Sequence, residues 1–423
     1  VTPSPDTKCP QQIPKGSLPR RRFLAGTLST LLGGLSAAAA RSSTAEAEGQ
    51  SRAETGGLKL LLTGDVMTGR GIDQLLPQSV SPEIFESYLT AADQYIEVAE
   101  QVSGPIPRPV DYTYVWGDAL HVIDAARPAL RIVNLETAVT TSDEHWPGKG
   151  IHYRMHPANL PVLQAAGIDC CTLANNHVLD WGYDGLEETL RALREGGLAS
   201  AGAGLDLEQA MAPAVLEIDA HRRVILFSLG HGSSGIGDSW RASPGRPGVW
   251  LMDELDPAAV ALIARQVAAL RQPGDIVIAS VHWGGNWGYD VPGSFREFAH
   301  DLIDRAGVDL LHGHSSHHPR GIEVYRNKLI LYGCGDFIND YEGITSHAEY
   351  RGDLRVMYLP ELDPHSGELQ ALSMPVFRSH KLSLRRASEA DIQWLAGTLD
   401  RASRPLGPAR VEPAKHGLRL RRD

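Results

Sequence analysis

The chain has 423 residues, 42% hydrophobic and 22% charged, an ordinary globular composition with room for one large or two medium domains. Its formal charge is −11, and the first forty residues hold Lys8, Lys15, Arg20, Arg21 and Arg22 against Asp6 alone, so the remainder is more acidic still. That balance excludes nucleic acid as a general partner, and any polyanionic ligand has to be held by a local basic patch or a metal.

Near the start, Pro19-Arg-Arg-Arg-Phe-Leu-Ala25 leads into an apolar run, Gly26 to Ala40, that ends in Ser36-Ala-Ala-Ala-Ala40. Twin arginines, a moderately apolar segment and a small-residue cleavage site form the pattern of a twin-arginine export signal over residues 1–40. The run is shorter than a bilayer span and rich in Gly, Ala, Ser and Thr, which disfavours a membrane anchor. No cysteine follows the small residues, so no lipid anchor is indicated. The expectation is a periplasmic or extracellular protein with no stable membrane span after cleavage. Residues 41–57 lack large apolar side chains until Leu58 and are expected to be a disordered linker.

From Leu58 onward short apolar runs alternate with amphipathic stretches, which predicts an α/β fold. Strands are predicted over Leu58 to Thr63, Leu130 to Asn134, Cys170 to Ala174, Val224 to Leu229, Ile276 to Val281, Leu310 to Leu311 and Leu329 to Tyr332. Helical periodicity marks Gly185 to Glu195, Pro257 to Arg271 and Phe295 to Ala306. Ser81 to Tyr112 is less regular and reads as an insertion. Cys170 and Cys171 read as small buried hydrophobes, and with Cys334 they are the three cysteines expected to remain once the signal is cleaved, an odd number that gives no disulfide framework. Past Tyr358 come a turn-rich segment, a helix near Glu389 to Asp400 and a basic, proline-punctuated end from Pro408. Residues 359–423 are therefore expected to be closing strands, a helix and a frayed basic tail appended to a domain spanning 58–358.

Polar clusters follow the apolar runs. Asp65 follows Gly64, Glu136 follows Asn134 by two positions, Asn175-Asn176-His177 follows the third run, and His282 and Gly313-His314 close later ones. In an open α/β sheet the carboxyl ends of the strands line one crevice, so groups distant in sequence can converge there. The segment Val308-Asp-Leu-Leu-His-Gly-His-Ser-Ser-His-His-Pro319 adds imidazoles where a strand meets a loop. Two carboxylates, an amide oxygen and three imidazoles form a mixed oxygen and nitrogen donor set suited to one or two divalent ions such as Mn, Fe or Zn.

Gly64-Asp-Val-Met-Thr-Gly-Arg70, Asn134-Leu-Glu-Thr137, Leu173-Ala-Asn-Asn-His-Val-Leu-Asp-Trp-Gly-Tyr-Asp-Gly-Leu186, Gly202-Ala-Gly204, Val281-His-Trp-Gly284 and Gly313-His-Ser-Ser-His317 stand in that order over Leu58 to Asp340. In these segments the chain resembles the CapA or PgsA type of capsule and poly-γ-glutamate synthesis protein, a branch of the calcineurin-like metallophosphoesterase superfamily. The resemblance implies a metallophosphoesterase-like αββα sandwich with mixed sheets. It implies Asp65, Glu136, Asn176, His282, His314 and His317 as metal ligands and His177 as the general acid. The chain departs from the superfamily pattern at Met67, where a histidine is usual and where a thioether implies a weakened metal position, and at Glu136, where aspartate is usual. Ser315 and Ser316 also depart from the branch, with His318 as a substitute donor, and Asp336 stands where asparagine is common.

On the substrate side, Arg70, Arg154 and Arg320 are candidates to clamp an anionic group, with Asn175 and Trp283 beside them and Trp287 completing an aromatic rim. Two functions fit. One is an exported metal-dependent hydrolase of a phosphoester or related anionic cell-envelope substrate. The other is a non-catalytic accessory factor in capsule or poly-γ-glutamate synthesis or export, working with capsule-synthesis proteins.

Overall fold

The apolar runs of the first half become parallel strands. In the computed structural model, which describes residues 57–344 and 346–422, β1 (Leu58–Val66), β2 (Leu130–Leu135), β3 (Cys170–Thr172) and β4 (Ala199–Ala201) lie side by side in that order. The expected export signal, and the expected linker up to residue 56, lie outside the described residues. A second sheet is built on β5 (Arg222–His231), β6 (Ile276–His282), β7 (Leu310–His314) and β8 (Lys328–Leu331), again parallel neighbours in chain order. Antiparallel edges, Ala214–Asp219 on β5 and Ile322–Tyr325 on β8, make this sheet mixed.

Alternation along the strands assigns the layers. Leu60 and Leu62 of β1 and Ile132 of β2 pack with Leu226, Ile278, Leu310 and Leu329 in a core between the two sheets. Leu61 and Val133 face the other way, against Ile96, Val122, Leu186 and Leu193 from the helices Gln94–Ser103, Asp118–Ala126 and Gly182–Glu195. Phe227, Ala279 and Leu311 cover the outer face of the second sheet with Ile263, Val267, Phe298 and Leu302 of the helices Pro257–Leu270 and Gly293–Ala306. The result is an α/β protein layered helix, sheet, sheet, helix. Local chemistry agrees: Asp256 caps the first of these two outer helices with Pro257 in its first turn, and Gly307 ends the second in the left-handed conformation.

β1, β2, β5, β6 and β7 run one to three residues further than the apolar pattern predicts, because a ladder of backbone hydrogen bonds does not require apolar side chains at its end, whereas β3 and β8 stop short of it at Thr172 and Leu331. Asp65, His282 and His314 therefore sit on the sheets themselves. The stretch read as an insertion contains the helix Gln94–Ser103.

The C-terminal region is a structural partner of β1. β9 (Asp336–Ile338) pairs parallel with the end of β1, placing Asp336 opposite Asp65. β10 (Leu354–Val356), β11 (Leu359–Leu362), β12 (Leu369–His380) and β13 (Ser383–Arg386) follow, with β11 antiparallel to the start of β1 and β12 pairing β10, β11 and β13. The end expected to fray is instead a hairpin, Arg410–Ala414 with Gly417–Arg421, joined to β12. Leu418 and Val411 enter the core between the sheets, which is what orders it. No helix among the described residues is long and apolar enough to cross a membrane.

Candidate functional site

At the carboxyl ends of β1, β6 and β7, ligand atoms of Asp65, His282 and His314 lie within 4.8 Å of one another. On the β9 side, Asp65, His317 and Asp336 meet the same condition, so Asp65 belongs to both groups. Close backbone approach brings the carboxylates together: a Cβ on Gly64 would stand 1.9 Å from the Gly335 carbonyl oxygen, so only glycine lets β1 and the turn before Asp336 touch. Ser315 adopts φ 99, a strained value for a residue with a side chain, and its N–H donates to Asp65 Oδ2 at 3.3 Å.

The remaining donors close around this pair. His282 Nε2 is 3.0 Å from Asn176 Oδ1 and 3.9 Å from Glu136 Oε1, and its Nδ1 is 2.7 Å from Nδ1 of His314. Asn134 donates to Asp65 Oδ1 at 2.7 Å and is itself oriented by Thr172 and Asn175. Arg355 donates to Asn339, Asn339 to Asp336 Oδ2, and Asp336 Oδ1 lies 2.8 Å from His317 Nδ1. Such outer partners fix the orientation of ligand side chains.

The electrostatics call for a cation. Burial, then the charge of Asp336, pushes the Asp65 carboxyl up to about 7. Burial, with Asp65 and Asp336 adding repulsion, raises Glu136 well above the carboxylate range, and Glu136 Oε2 is buried with no hydrogen-bond partner. Burial holds His282 and His314 well below the usual imidazole range, the neutral form in which histidine binds metals. Burial opposes charge on His317 too, but Asp336 and Asp65 outweigh it and the ring is raised, while Asp336, despite burial, is lowered by His317. That pair holds a proton where a metal would stand. Three carboxylates, three imidazoles and an amide oxygen with an orphaned carboxylate oxygen fit divalent ions.

His177 stands at the edge. Its Nδ1 is 2.6 Å from Asp180 Oδ2 and its Nε2 is 3.7 Å from Glu136 Oε1. Lys149 contacts Asp180, the Asn176 carbonyl and His177 Nδ1. Burial, then Lys149, holds the His177 ring well below its usual pKa. With Asp180 accepting the Nδ1 proton, the Nε2 lone pair of the neutral ring faces the donor groups. A cavity of about 1060 Å³ opens from Asn176, His177, His317 and Asp336 and runs past Lys149 and Trp287 to a wall that includes Glu342, Arg351, Asp353, Arg378, Arg385 and Arg386.

The structure thus brings together Asp65, Glu136, Asn176, His177, His282, His314 and His317. Of the substrate-side candidates it brings Trp287 to the cavity but not Arg70, Arg154, Arg320, Asn175 or Trp283. Arg70 is buried in ion pairs with Glu86 at 2.6 Å and Asp340 at 2.5 Å, under the ring of Tyr95. Arg154 pairs with Asp143 and lies over Trp181, and Arg320 donates to the Gly285 carbonyl. Trp283 is buried in a stack with Phe295 and Tyr332. Asn175 is a scaffold: its Oδ1 accepts from the His177 and Val178 N–H groups and its Nδ2 donates to Asn134 and Leu135. Asn175 finds its partners inside the protein and the arginines find most of theirs, Nε of Arg154 and of Arg320 being buried without one, a fate that sequence position does not reveal. His312 bonds Thr63 and Ser280, and His318 turns to the Pro319 carbonyl and Tyr350, so neither joins the donor groups. Met67 is buried, and Asp336 supplies a second carboxylate beside Asp65. Sequence reading missed Asp180 and Lys149 as partners of His177, although Asp180 lies three residues on in the same motif.

The family model described as "Bacterial capsule synthesis protein PGA_cap" matches residues 59–341. A Mycobacterium tuberculosis protein described as a probable polyglutamine synthesis accessory protein is 48% identical over 82% of this chain and 92% of its own length. The PGA biosynthesis protein CapA of Bacillus subtilis is 28% identical over 67% of this chain and 63% of its own. The capsule biosynthesis protein CapA of Bacillus anthracis is 24% identical over 67% and 60%. The chain belongs to the PGA_cap family of bacterial capsule synthesis proteins.

Proposed function

We propose that this chain is an exported, metal-dependent hydrolase that acts on a phosphoester or related anionic substrate of the cell envelope or capsule. The observation that carries the reading is the pair of donor groups sharing Asp65, with the His177–Asp180 dyad beside them at the end of one large cavity. Asp65, Asn176, His282 and His314 would hold one ion and Asp65, His317 and Asp336 a second, with Glu136 a further donor beside His282. Bound Mn, Fe or Zn would supply Lewis-acid activation of water and of the substrate's phosphoryl oxygen. His177 would take up a proton at Nε2 and deliver it to the leaving oxygen, with Asp180 stabilising the charged ring and fixing its direction. Lys149 neutralises Asp180 and holds the loop at Asn176 through its carbonyl. Export rests on the Pro19-Arg-Arg-Arg-Phe-Leu-Ala25 pattern, and a reporter fusion that still crosses the membrane without the twin-arginine translocase would remove that part.

A second reading is supported by the names of the relatives: a metal-binding accessory protein in capsule polymer synthesis that turns nothing over. The purified chain, supplied in turn with manganese, zinc and iron(II), should hydrolyse p-nitrophenyl phosphate or its bis-ester, and His177→Ala should lose about 10²–10⁴-fold in rate. Equal rates in parent and variant would overturn the role of His177. Metal uptake without turnover of either ester would favour the accessory reading.

A further inference from the structure

Acidity of the whole chain makes one surface stand out. The far wall of the cavity carries Arg351, Arg378, Arg385 and Arg386, against the cavity-lining acids Glu342 and Asp353. Glu342 is already engaged in anchoring the turn between β12 and β13, accepting from the N–H groups of Lys381 and Leu382. Asp353 is shared between Arg351 and Arg378.

The arginines are placed at an electrostatic cost. Arg378 of β12 stands directly opposite Arg385 of β13, and Arg386 stands opposite the adjacent Phe377. Like charges facing one another across an antiparallel pair destabilise it. Compensation is partial: Arg385 reaches Asp118 only at 3.7 Å, and the side chains of Arg378 and Arg385 remain 56% and 48% exposed. Arg386 lies over the Phe377 ring and makes no ion pair among the described residues. Arginines that line a cavity in this way match an anion that arrives from outside, since each guanidinium fork can take two oxygens.

Size points the same way. A cavity of about 1060 Å³ exceeds what one phosphoryl or carboxyl group needs. These arginines also lie beyond residue 341, where the family match ends.

We infer that Arg378, Arg385 and Arg386 form a specificity wall that binds the anionic chain of a linear polyanion while its reacting end lies among Asp65, His177 and His317. The position of the reacting end rests on the hydrolase reading, but the binding does not, so the two can fail separately. The test is fluorescence anisotropy on the full chain, metal-free, with labelled poly-γ-glutamate oligomers of increasing length and, in a parallel arm, inorganic polyphosphate. Affinity should rise with length and fall between about 0.1 M and 0.5 M salt. Arg385→Gln/Arg386→Gln should weaken the longest preferred oligomer about tenfold or more and flatten the length dependence. Arg385→Lys/Arg386→Lys, which keeps the charge but not the fork, should fall between. Whichever polymer binds tighter names the repeating anion. Absence of binding by the parent, or length-dependent binding unchanged in the glutamine variant with an unaltered melting curve, would overturn the inference, whatever happens to ester hydrolysis.

Discussion

Asp65 is the residue on which the rest turns, because it belongs to both donor groups and is buried where an unpaired carboxylate charge is costly. Its carboxyl, ordinarily near 3.8, is pushed up to about 7 by burial and by Asp336. Below the ordinary value it is protonated whether the chain is folded or not. Between that value and 7 the folded chain holds a proton that the unfolded chain has lost. This contribution to stability is therefore present in acid and is lost as pH rises through about 7. A divalent ion reverses the preference by taking the ionised form and releasing protons, including the one shared by His317 and Asp336. Calorimetric melting should show a larger gain in Tm from added manganese or zinc at pH 8 than at pH 5.5, one ion adding about 2.7 kcal/mol of stability when free metal is a hundredfold above its Kd. A gain that shrinks towards alkaline pH would contradict this assignment of the proton.

At the scale of elements, the strands after Asp336 complete the sheet that carries Asp65. β11 pairs with the start of β1, Tyr358 and Leu62 exchange backbone hydrogen bonds of 2.9 Å, and Val356, Leu372, Met374 and Leu399 lie in the core between the sheets. Each buried side chain of this size is worth about 1.5–3 kcal/mol, against a total stability of about 5–15 kcal/mol. A chain ended at residue 341, where the family match stops, should show no cooperative thermal transition. A sharp transition near that of the full chain would contradict the packing described. The strand cores were legible in sequence because apolar runs bounded by glycine and polar clusters leave few alternatives, as in Val224 to Leu229 and Ile276 to Val281. The terminal hairpin was not legible. Arg410–Ala414 and Gly417–Arg421 bury only Val411, Gly417 and Leu418, and in isolation so sparse a pattern among arginines looks like a solvated tail.

Across the whole molecule, the candidate site was legible to the extent that parallel strands bring their ends to one side. Seven of the residues expected there do meet: Asp65, Glu136, Asn176, His177, His282, His314 and His317. The arginines expected beside them do not, because whether a guanidinium faces a cavity or an internal carboxylate depends on contacts distant in sequence, such as Arg70 with Asp340. The basic surface that does face the cavity comes from the C-terminal strands and carries no motif. The most direct test of a composite divalent-metal centre is elemental analysis of the purified chain after expression with added manganese, zinc and iron, beside an Asp65→Asn variant that folds. The parent should retain between one and two ions per chain through exhaustive buffer exchange, and the variant should lose most of them. Metal far below one ion per parent chain, or equal retention by the two proteins, would contradict it.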